Sequence, residues 1–282
     1  MGLIEVKPVV LSDGGNLIIH LAPHPVVARI STLLSKQDSA HACSILNREL
    51  QVANYLHNAG VPVLSPAERL GAAPYNVDGI WFTLWKYEPW TELQPLSSSE
   101  EVQFVSLLST AMRQYPGELP VLGVWERTCH SAARLERHSD PRIRNLLHVF
   151  QEVNEQLYAK EMVLVPCHGD AHKRNLWPSP GGWLWMDFED VSLMPMHWDT
   201  ASYVGNLVLF GGLQEPTFRY MVEQTEISSD TEAFAFTVSA RILMSIIGNL
   251  DYALQGHGDL EFASRQLEHA EGVLSELKRF NK

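Results

Sequence analysis

Cysteine is scarce in this sequence, and its three cysteines are an odd number spread widely over Cys43, Cys129 and Cys167. This usage argues against a disulfide framework and is typical of a reducing compartment, so we expect a cytoplasmic protein. The sequence also has no Cys-x-x-Cys pair and no G-x-S-x-G segment, so it gives no sign of redox chemistry or acyl transfer. Cys129 and Cys167 are interpreted as packing residues.

Long hydrophobic runs are lacking as well. No uninterrupted apolar stretch approaches the roughly eighteen residues that a membrane-spanning helix needs. The first residues do not combine a basic region, an apolar stretch and a small-residue cleavage site, as a secretion signal would. We therefore expect a soluble chain with no membrane partner.

Positive charge is in short supply, because 21 lysines and arginines face 33 acidic residues and give a net charge of −12. Such a balance disfavours nonspecific binding to nucleic acid or anionic membranes. The acidic excess indicates either ordinary solubility or attraction for a cationic substrate. The same two interpretations, a solvated helix face or a site for an amine-bearing acceptor, apply to an acidic stretch of five residues: Glu215, Glu223, Glu226, Asp230 and Glu232.

The chain does have enough apolar material for a large core, since 45% of its 282 residues are hydrophobic. Residues 1–34 alternate short apolar runs with turn residues, which predicts a meander of short strands. Helical spacing from Ala40 to Asn58 predicts one long helix. The pair Asp78 and Gly79, followed by the aromatic run Trp81–Trp85, predicts a further turn and strand.

Beyond Pro95 the patterns are mostly helical, with a short β-like island whose turn lies at Pro178–Gly182. There is no internal repeat and no low-complexity tract. We predict an α+β fold in which residues 1–88 form a small lobe of antiparallel strands plus one long helix. A hinge is expected near residues 85–92, and residues 93–282 should form a larger, mainly helical lobe.

A polar constellation lies in that island. Asp170 and Asn175 are five positions apart in a loop between apolar segments, and Asp187 follows Asp170 by seventeen positions. Phosphoryl transfer needs a carboxylate to hold the nucleophilic hydroxyl and oxygen ligands to anchor magnesium on the phosphates. These three residue types meet that need.

The segment His168-Gly169-Asp170 with Asn175, followed by Asp187-Phe188-Glu189-Asp190, resembles the motifs of the aminoglycoside phosphotransferases, antibiotic-modifying relatives of the protein kinases. The resemblance implies a protein-kinase-like two-lobe fold with the nucleotide between the lobes. It also implies transfer of the γ-phosphoryl group of ATP or GTP, with Mg²⁺, to an alcohol group of an antibiotic or a related metabolite.

The resemblance also assigns roles to individual residues. Asp170 would be the catalytic base or the group that orients the hydroxyl, and Asn175 and Asp187 would be the magnesium ligands. Supporting roles fall to His168, which would brace the loop, and to Asp190 and Asp199. We interpret Asp199 as a helix cap rather than as a residue that takes part directly in catalysis.

Toward the N-terminus the resemblance reaches about residue 10, and it ends near residue 210. PVVARI is similar to the strand that holds the phosphate-pairing lysine, but here Arg29 stands at that position, with Glu49 as its expected partner. An arginine fork can bind phosphates, although it is not interchangeable with lysine. The nucleotide-binding residues implied are Arg29, Glu49, Gly14, Gly15, Trp85 and Tyr87.

Other interpretations of the same residues remain. His168 and His172 are four positions apart, but a zinc site of that spacing needs a helix, and this segment is a loop. Tryptophans such as Trp183 and Trp185 are interpreted as core residues rather than a stacking platform. The alternatives to an antibiotic kinase are a pseudokinase that acts as a binding module and a metabolite kinase of the choline or homoserine type. The resemblance does not distinguish ATP from GTP, or resistance from metabolism, and it leaves the oligomeric state open.

Overall fold

A computed structural model describes residues 2–14, 16–31, 39–159 and 162–280. The chain forms two compact units. The first, here called the N-terminal unit, comprises Met1–Pro95 and Arg174–Glu189, and the second, the helical unit, comprises Leu96–Lys173 and Asp190–Lys282. The sequence places the boundary near residues 88–93, whereas the N-terminal unit runs to Pro95 and includes a second segment of the chain.

The strands are β1 (Lys7–Asp13), β2 (Leu17–Ala22), β3 (Val26–Ser31), β4 (Tyr75–Val77), β5 (Ile80–Lys86), β6 (Leu164–Cys167), β7 (Leu176–Ser179), β8 (Gly182–Trp185) and β9 (Ser192–Pro195). The helices are α1 (Ser39–Asn58), α2 (Ser98–Met112), α3 (Gly123–Leu135), α4 (Pro141–Leu157), α5 (Trp198–Gly211), α6 (Pro216–Val222), α7 (Thr225–Ser228), α8 (Thr231–Leu254) and α9 (Leu260–Arg279). Together they confirm the α+β prediction of an antiparallel sheet with one long helix and a mainly helical remainder.

The N-terminal unit is built on one antiparallel sheet with the strand order β1-β2-β3-β5-β4. Asp78 and Gly79 both have positive φ angles, 51° and 83°, which is the backbone that a tight turn between β4 and β5 requires. The apolar stripe of α1, which includes Leu46 and Leu50, is fully buried, and α1 packs against β5. The sheet thereby holds β3 between two neighbours and fixes the direction of its side chains.

The hairpin β7-β8 belongs to the N-terminal unit because backbone hydrogen bonds join it to the chain before β4. Leu64 N–H donates to Trp185 O (2.8 Å), and Trp185 N–H donates to Pro62 O (2.9 Å). Trp185 is itself completely buried. The predicted hairpin turn at Pro178–Gly182 is confirmed.

The helical unit is arranged around α8, which packs against α3, α4, α5 and α9. By length and composition α8 could cross a membrane, but 61% of its most apolar window is buried within the fold, as in a core helix. Strands β6 and β9 pair as a separate two-stranded sheet. These two strands flank the segment 168–191, which contains the polar residues predicted to form the site.

Candidate active site

Arg29 of β3 is the centre of an ion cluster in the N-terminal unit. Its Nη1 donates to Glu49 Oε2 of α1 (2.6 Å), and its Nη2 donates to Glu189 Oε2 (2.5 Å) and to Asp187 Oδ1 (3.4 Å). The Arg29 and Glu49 side chains are nearly buried, whereas those of Asp187 and Glu189 are more than one third exposed. One guanidinium is therefore shared by three carboxylates.

The charge states of this cluster follow from burial and proximity. Burial lowers the pKa of Arg29, but Glu49, Glu189 and Asp187 outweigh burial and raise that pKa above its ordinary value. Burial also raises the pKa of Glu49, and the nearby guanidinium opposes that rise. The arginine thus stays charged, and it is the group that makes a buried carboxylate tolerable here.

Asp187 has a backbone conformation that side chains rarely adopt, with φ of 67°. The residue lies two positions after the end of β8 and precedes Phe188, which is completely buried. A buried anchor on one side and a paired strand on the other hold the left-handed turn in place. Such a conformation is found mostly where a side chain must be presented to a ligand or to the chemistry.

A cavity of about 410 Å³ lies against this cluster in the N-terminal unit. Arg29, Glu49 and Asp187 line one part of it, and Trp85, Lys86, Tyr87 and Glu88 line another. Its size is in the range of small-molecule sites. Trp177 of the hairpin also lines the cavity, and its Nε1–H donates to Glu88 O (3.0 Å), so the hairpin and the end of β5 are joined at the cavity wall.

Most of the predicted nucleotide-binding residues meet at this cavity. Arg29, Glu49, Trp85, Tyr87 and Gly14 all contribute to its lining, and Asp187 does so as well. Gly15 lies outside the described residues. The predicted pairing of Arg29 with Glu49 is present in the fold.

Asn175, the second predicted magnesium ligand, also belongs to the N-terminal unit. It ends a single 3-10 turn, Lys173–Asn175, just before β7, and it is 7% exposed. Its backbone oxygen accepts from Met186 N–H (3.0 Å), which places the residue beside the turn that holds Asp187. Convergence of these two ligands with Asp170 stays a prediction.

The polar loop, residues 168–172, belongs to the helical unit and is fixed by a carboxylate of α5. Asp199 accepts hydrogen bonds from His168 N–H (3.0 Å) and Gly169 N–H (3.1 Å), and it is completely buried. The interpretation of Asp199 as a helix cap is wrong, because α5 begins at Trp198 after His197 and Asp199 lies inside its first turn. Its carboxylate stabilises the backbone of the polar loop instead.

Gly169 shows why the loop needs glycine. Its φ is 89°, and a Cβ built there would lie 2.1 Å from the carbonyl oxygen of Asp190. The Gly169 carbonyl in turn accepts from Trp198 Nε1–H (2.8 Å). Tight backbone contacts therefore set the position of Asp170, the next residue.

Both carboxylate oxygens of Asp170 have a partner within the helical unit. Arg241 of α8 donates from Nη2 to Oδ1, and His172 Nε2 lies 3.2 Å from Oδ2. Burial raises the pKa of Asp170, but Arg241 and His172 outweigh burial and hold that pKa well below its usual range. Asp170 is therefore a charged carboxylate at neutral pH.

Two further charged residues near the loop, Asp190 and Lys173, form ion pairs. Asp190 Oδ2 accepts from Arg127 Nη2 of α3 at 2.5 Å, and Lys173 forms an ion pair with Glu101 of α2. These two ion pairs connect Lys173, just after the polar loop, to α2 and Asp190, just before β9, to α3.

Residues of the acidic stretch make separate local contacts. Glu215 accepts from Phe218 N–H as the cap of α6, and Glu226 pairs with Arg113. Asp230 lies 3.8 Å from His197 Nε2. A continuous anionic surface for a cationic acceptor gains no support from this arrangement.

Sequence reasoning missed Arg241 and Trp177. Arg241 had a detectable signal, because it is the sole ionisable residue between Glu232 and Asp251 in an otherwise apolar helix. An isolated charge at such a position needs a buried partner. Trp177 had no comparable signal, since its contact depends on how the hairpin meets the end of β5.

No family model matches the sequence, and no curated protein matches it. Solved structures match over almost the whole chain. The GDP and kanamycin complex of APH(2")-IIia has 16% identity and a TM-score of 0.64, with 99% of this chain and 95% of that chain covered. Choline kinase LicA from Streptococcus pneumoniae has 15% identity and a TM-score of 0.66, with 97% of this chain and 95% of that chain covered.

An amicoumacin kinase, hAmiN, in complex with AMP-PNP and Ca²⁺ has 12% identity and a TM-score of 0.66, with 97% of this chain and 88% of that chain covered. The chain therefore has the protein-kinase-like fold that aminoglycoside phosphotransferases and choline kinases share. Identities this low establish the fold alone.

Proposed function

We propose that this chain is a small-molecule kinase. It transfers the γ-phosphoryl group of ATP or GTP, with Mg²⁺, to a hydroxyl group of an antibiotic or a related metabolite. The observation that supports this best is the Arg29–Glu49 ion pair beside Asp187 at one cavity, in a chain with the protein-kinase-like fold. Phosphoryl transfer depends mainly on positioning and charge neutralisation, and these groups are suited to both.

In this proposal the cavity of the N-terminal unit binds the nucleotide. Trp85, Tyr87 and the backbone at the end of β5 surround the base, and the Arg29 guanidinium binds phosphate oxygens. Glu49 keeps that guanidinium oriented from behind. Gly14 belongs to a turn after β1 where the backbone is close enough to the cavity to approach a phosphate.

The donor set fits a magnesium ion. Asp187 presents a carboxylate on a left-handed turn at the cavity wall, and Asn175, whose backbone oxygen accepts from Met186 N–H, would add a neutral amide oxygen. Mg²⁺ prefers such oxygen ligands and usually keeps several waters. When bound, the ion would neutralise negative charge on the phosphate oxygens of the donor.

Asp170 acts on the acceptor. Its ionised carboxylate orients the acceptor hydroxyl and accepts its proton as the new oxygen–phosphorus bond forms and the bond from the γ-phosphorus to the β–γ bridging oxygen breaks, which releases the nucleoside diphosphate. Arg241 contacts Oδ1 and His172 contacts Oδ2, and together they keep the Asp170 carboxylate from rotating. Asp199 holds the loop backbone, so that Asp170 is presented from a rigid support.

The acceptor class is proposed from the solved structures that share this fold. The similar structures include an aminoglycoside phosphotransferase in complex with kanamycin, an amicoumacin kinase and a choline kinase, and each of those three compounds has a hydroxyl group. An antibiotic acceptor would make the physiological role resistance, and a metabolite acceptor would make it housekeeping. A cytoplasmic location agrees with either role.

A second candidate, a pseudokinase that binds a nucleotide without turnover, is favoured by one observation. Arg29 Nη2 donates to Asp187 and Glu189. The proposed phosphate-binding cation, Arg29, and the proposed magnesium ligand, Asp187, therefore neutralise one another. If that arrangement persists with nucleotide present, transfer would be blocked.

Mass spectrometry separates these candidates. The purified protein is incubated with MgATP or MgGTP and a panel of hydroxylated antibiotics, choline-like alcohols and other metabolites, and each acceptor is followed for the mass of one phosphoryl group. Asp170→Asn serves as the control, because it keeps the shape of the side chain and removes its charge. We expect a modified acceptor with the unsubstituted protein and a loss of about 100- to 10,000-fold in turnover with the variant.

Nucleotide binding is measured in parallel by calorimetry. Binding without any modified acceptor across the panel would favour the pseudokinase, and failure to bind either nucleotide would contradict both candidates. Modification that Asp170→Asn leaves unchanged would reject Asp170 as the base. A salt-dependent loss of turnover confined to cationic acceptors would indicate an electrostatic contribution to their binding.

A further inference from the structure

Arg241 lies in the middle of α8, and the described structure gives it two polar partners from different parts of the helical unit. Its Nε–H donates to Ser202 Oγ of α5 (3.0 Å), and its Nη2–H donates to Asp170 Oδ1 of the polar loop. The residue is 6% exposed. A buried guanidinium is costly unless it is paired, so α8 holds this charge in place for a partner.

The partner it holds is the proposed catalytic carboxylate. A guanidinium is planar and rigid, and its fixed donors restrain both the position and the plane of the carboxylate that they bind. With Oδ1 held by Arg241 and Oδ2 facing His172, the Asp170 side chain has little rotational freedom. Ser202 fixes the other side of the guanidinium, so that the restraint extends back to α5.

The groups that face Asp170 make a counter-charge necessary. His168 and His172 lie on its own loop, Asp199 on α5 and Arg241 on α8. Asp199 is buried beside the same loop, and its negative charge disfavours a second carboxylate anion nearby. Removal of the guanidinium would leave two adjacent acidic groups with burial opposing the ionisation of both.

We propose that Arg241 is a positioning residue for Asp170, which keeps the carboxylate ionised and correctly oriented toward the acceptor hydroxyl. This inference rests on the proposed kinase function, because it assigns Asp170 the role of hydroxyl acceptor. Arg241 does not itself need to touch the acceptor or the nucleotide. Its effect is exerted through the carboxylate.

A set of variants tests the proposal. Arg241→Met removes the charge and retains much of the apolar volume, and Arg241→Lys retains the charge without the fork. Arg134→Met is the control, because Arg134 too forms an ion pair with an aspartate of the helical unit, Asp251 of α8, but outside the proposed machinery. Folding of each variant is checked by circular dichroism and thermal unfolding before any comparison.

The first readout is independent of turnover. Protein labelled with ¹³C at the aspartate carboxyl carbon is titrated without acceptor, and the Asp170 signal is assigned by its absence in Asp170→Asn. We expect an Asp170 pKa below the ordinary range in the unsubstituted protein and in Arg134→Met, a rise above that range in Arg241→Met, and a smaller rise in Arg241→Lys. The sign follows from burial, which favours the protonated acid once the guanidinium is gone.

The second readout is the pH profile of transfer with an acceptor from the mass-spectrometry panel. Because Asp170 must be ionised to receive a proton, Arg241→Met should lose activity progressively as the pH falls, at a pH where the unsubstituted protein is still active. At the pH optimum we expect about a 100-fold lower kcat with little change in KM, and a partial recovery in Arg241→Lys.

The outcomes are distinct. An Arg241→Met protein that is folded, titrates Asp170 as the unsubstituted protein does and keeps its pH profile would overturn the proposal. A shifted Asp170 pKa with unchanged kcat and an unchanged pH profile would reduce the pair to a structural salt bridge and also overturn it. Failure of the unsubstituted protein to modify any acceptor contradicts the kinase function itself, whereas the carbon titration still reports whether Arg241 controls Asp170.

Discussion

Each unit buries one arginine against carboxylates, and the two arginines differ in how much negative charge they hold. Arg29 of the N-terminal unit is shared by Glu49, Asp187 and Glu189. Arg241 of the helical unit bonds one carboxylate, that of Asp170, and a neutral serine. Counted by bonded partners, the first guanidinium has three carboxylates and the second has one.

This difference suits different tasks. A region with excess carboxylate can accept a further cation, and in the proposed function that cation is magnesium brought with the nucleotide. A balanced pair instead fixes a single carboxylate in one ionisation state and one orientation. Excess carboxylate at the proposed nucleotide site and a single fixed carboxylate for the proposed acceptor are therefore what a phosphoryl-transfer enzyme would be expected to combine.

The largest effect is expected from Arg29→Met, because it leaves Glu49 buried without its cation. Removing one partner of a buried ion pair typically costs about 3–5 kcal/mol, and we expect a loss of that size in urea unfolding followed by tryptophan fluorescence. The double variant Arg29→Met with Glu49→Gln should recover part of the loss, since it removes both charges. A single variant with an unchanged unfolding midpoint would show that the pair contributes little.

Gly169→Ala should have the next largest effect. The added Cβ would lie 2.1 Å from the Asp190 carbonyl oxygen in a backbone with φ of 89°, so the polar loop must shift. Backbone strain of this kind costs about 1–3 kcal/mol, and displacement of Asp170 should also lower turnover.

Gly182→Ala is the control for Gly169→Ala. Gly182 also has a positive φ, 112°, but a Cβ there meets nothing within 4 Å. It therefore reports the cost of the backbone conformation without the clash. Equal losses of stability and turnover in the two variants would contradict a special role for the contact with Asp190.

The sequence was sufficient for features set by local pattern. The strands of the meander, the helix that contains Glu49 and the turn at Asp78 and Gly79 are confirmed, because periodicity and turn residues act over a few positions. The pairing of Arg29 with Glu49 could also be predicted, through the family resemblance.

What could not be predicted depends on partners distant in sequence. Asp199 looked like a helix cap because an acid near a helix start usually is one, yet its oxygens accept from backbone 30 and 31 positions earlier. Arg241 meets Asp170 across 71 positions. Contacts of this kind are set by the packing of whole helices, which no local pattern reports.

Glu189→Gln should have a small effect on stability and a selective effect on nucleotide binding. The Glu189 side chain is 35% exposed, so the loss of its ion pair with Arg29 should cost no more than about 1 kcal/mol. Less negative charge near the phosphates should tighten binding of nucleotide without magnesium a few-fold, whereas magnesium-bound nucleotide should change less. Calorimetry with and without magnesium measures both, and weaker binding of free nucleotide would contradict the idea of excess negative charge.

Gly14→Ala should be the mildest change, and it contrasts with Gly169→Ala. A Cβ at Gly14 meets nothing within 4 Å, and its φ is not in the left-handed region, so we expect stability to change by no more than about 0.5 kcal/mol. If the turn approaches the nucleotide phosphates, as proposed, the methyl group will intrude into the cavity and weaken nucleotide binding without altering the unfolding midpoint. Unchanged affinity together with unchanged stability would remove Gly14 from the binding site and leave it as an ordinary turn residue.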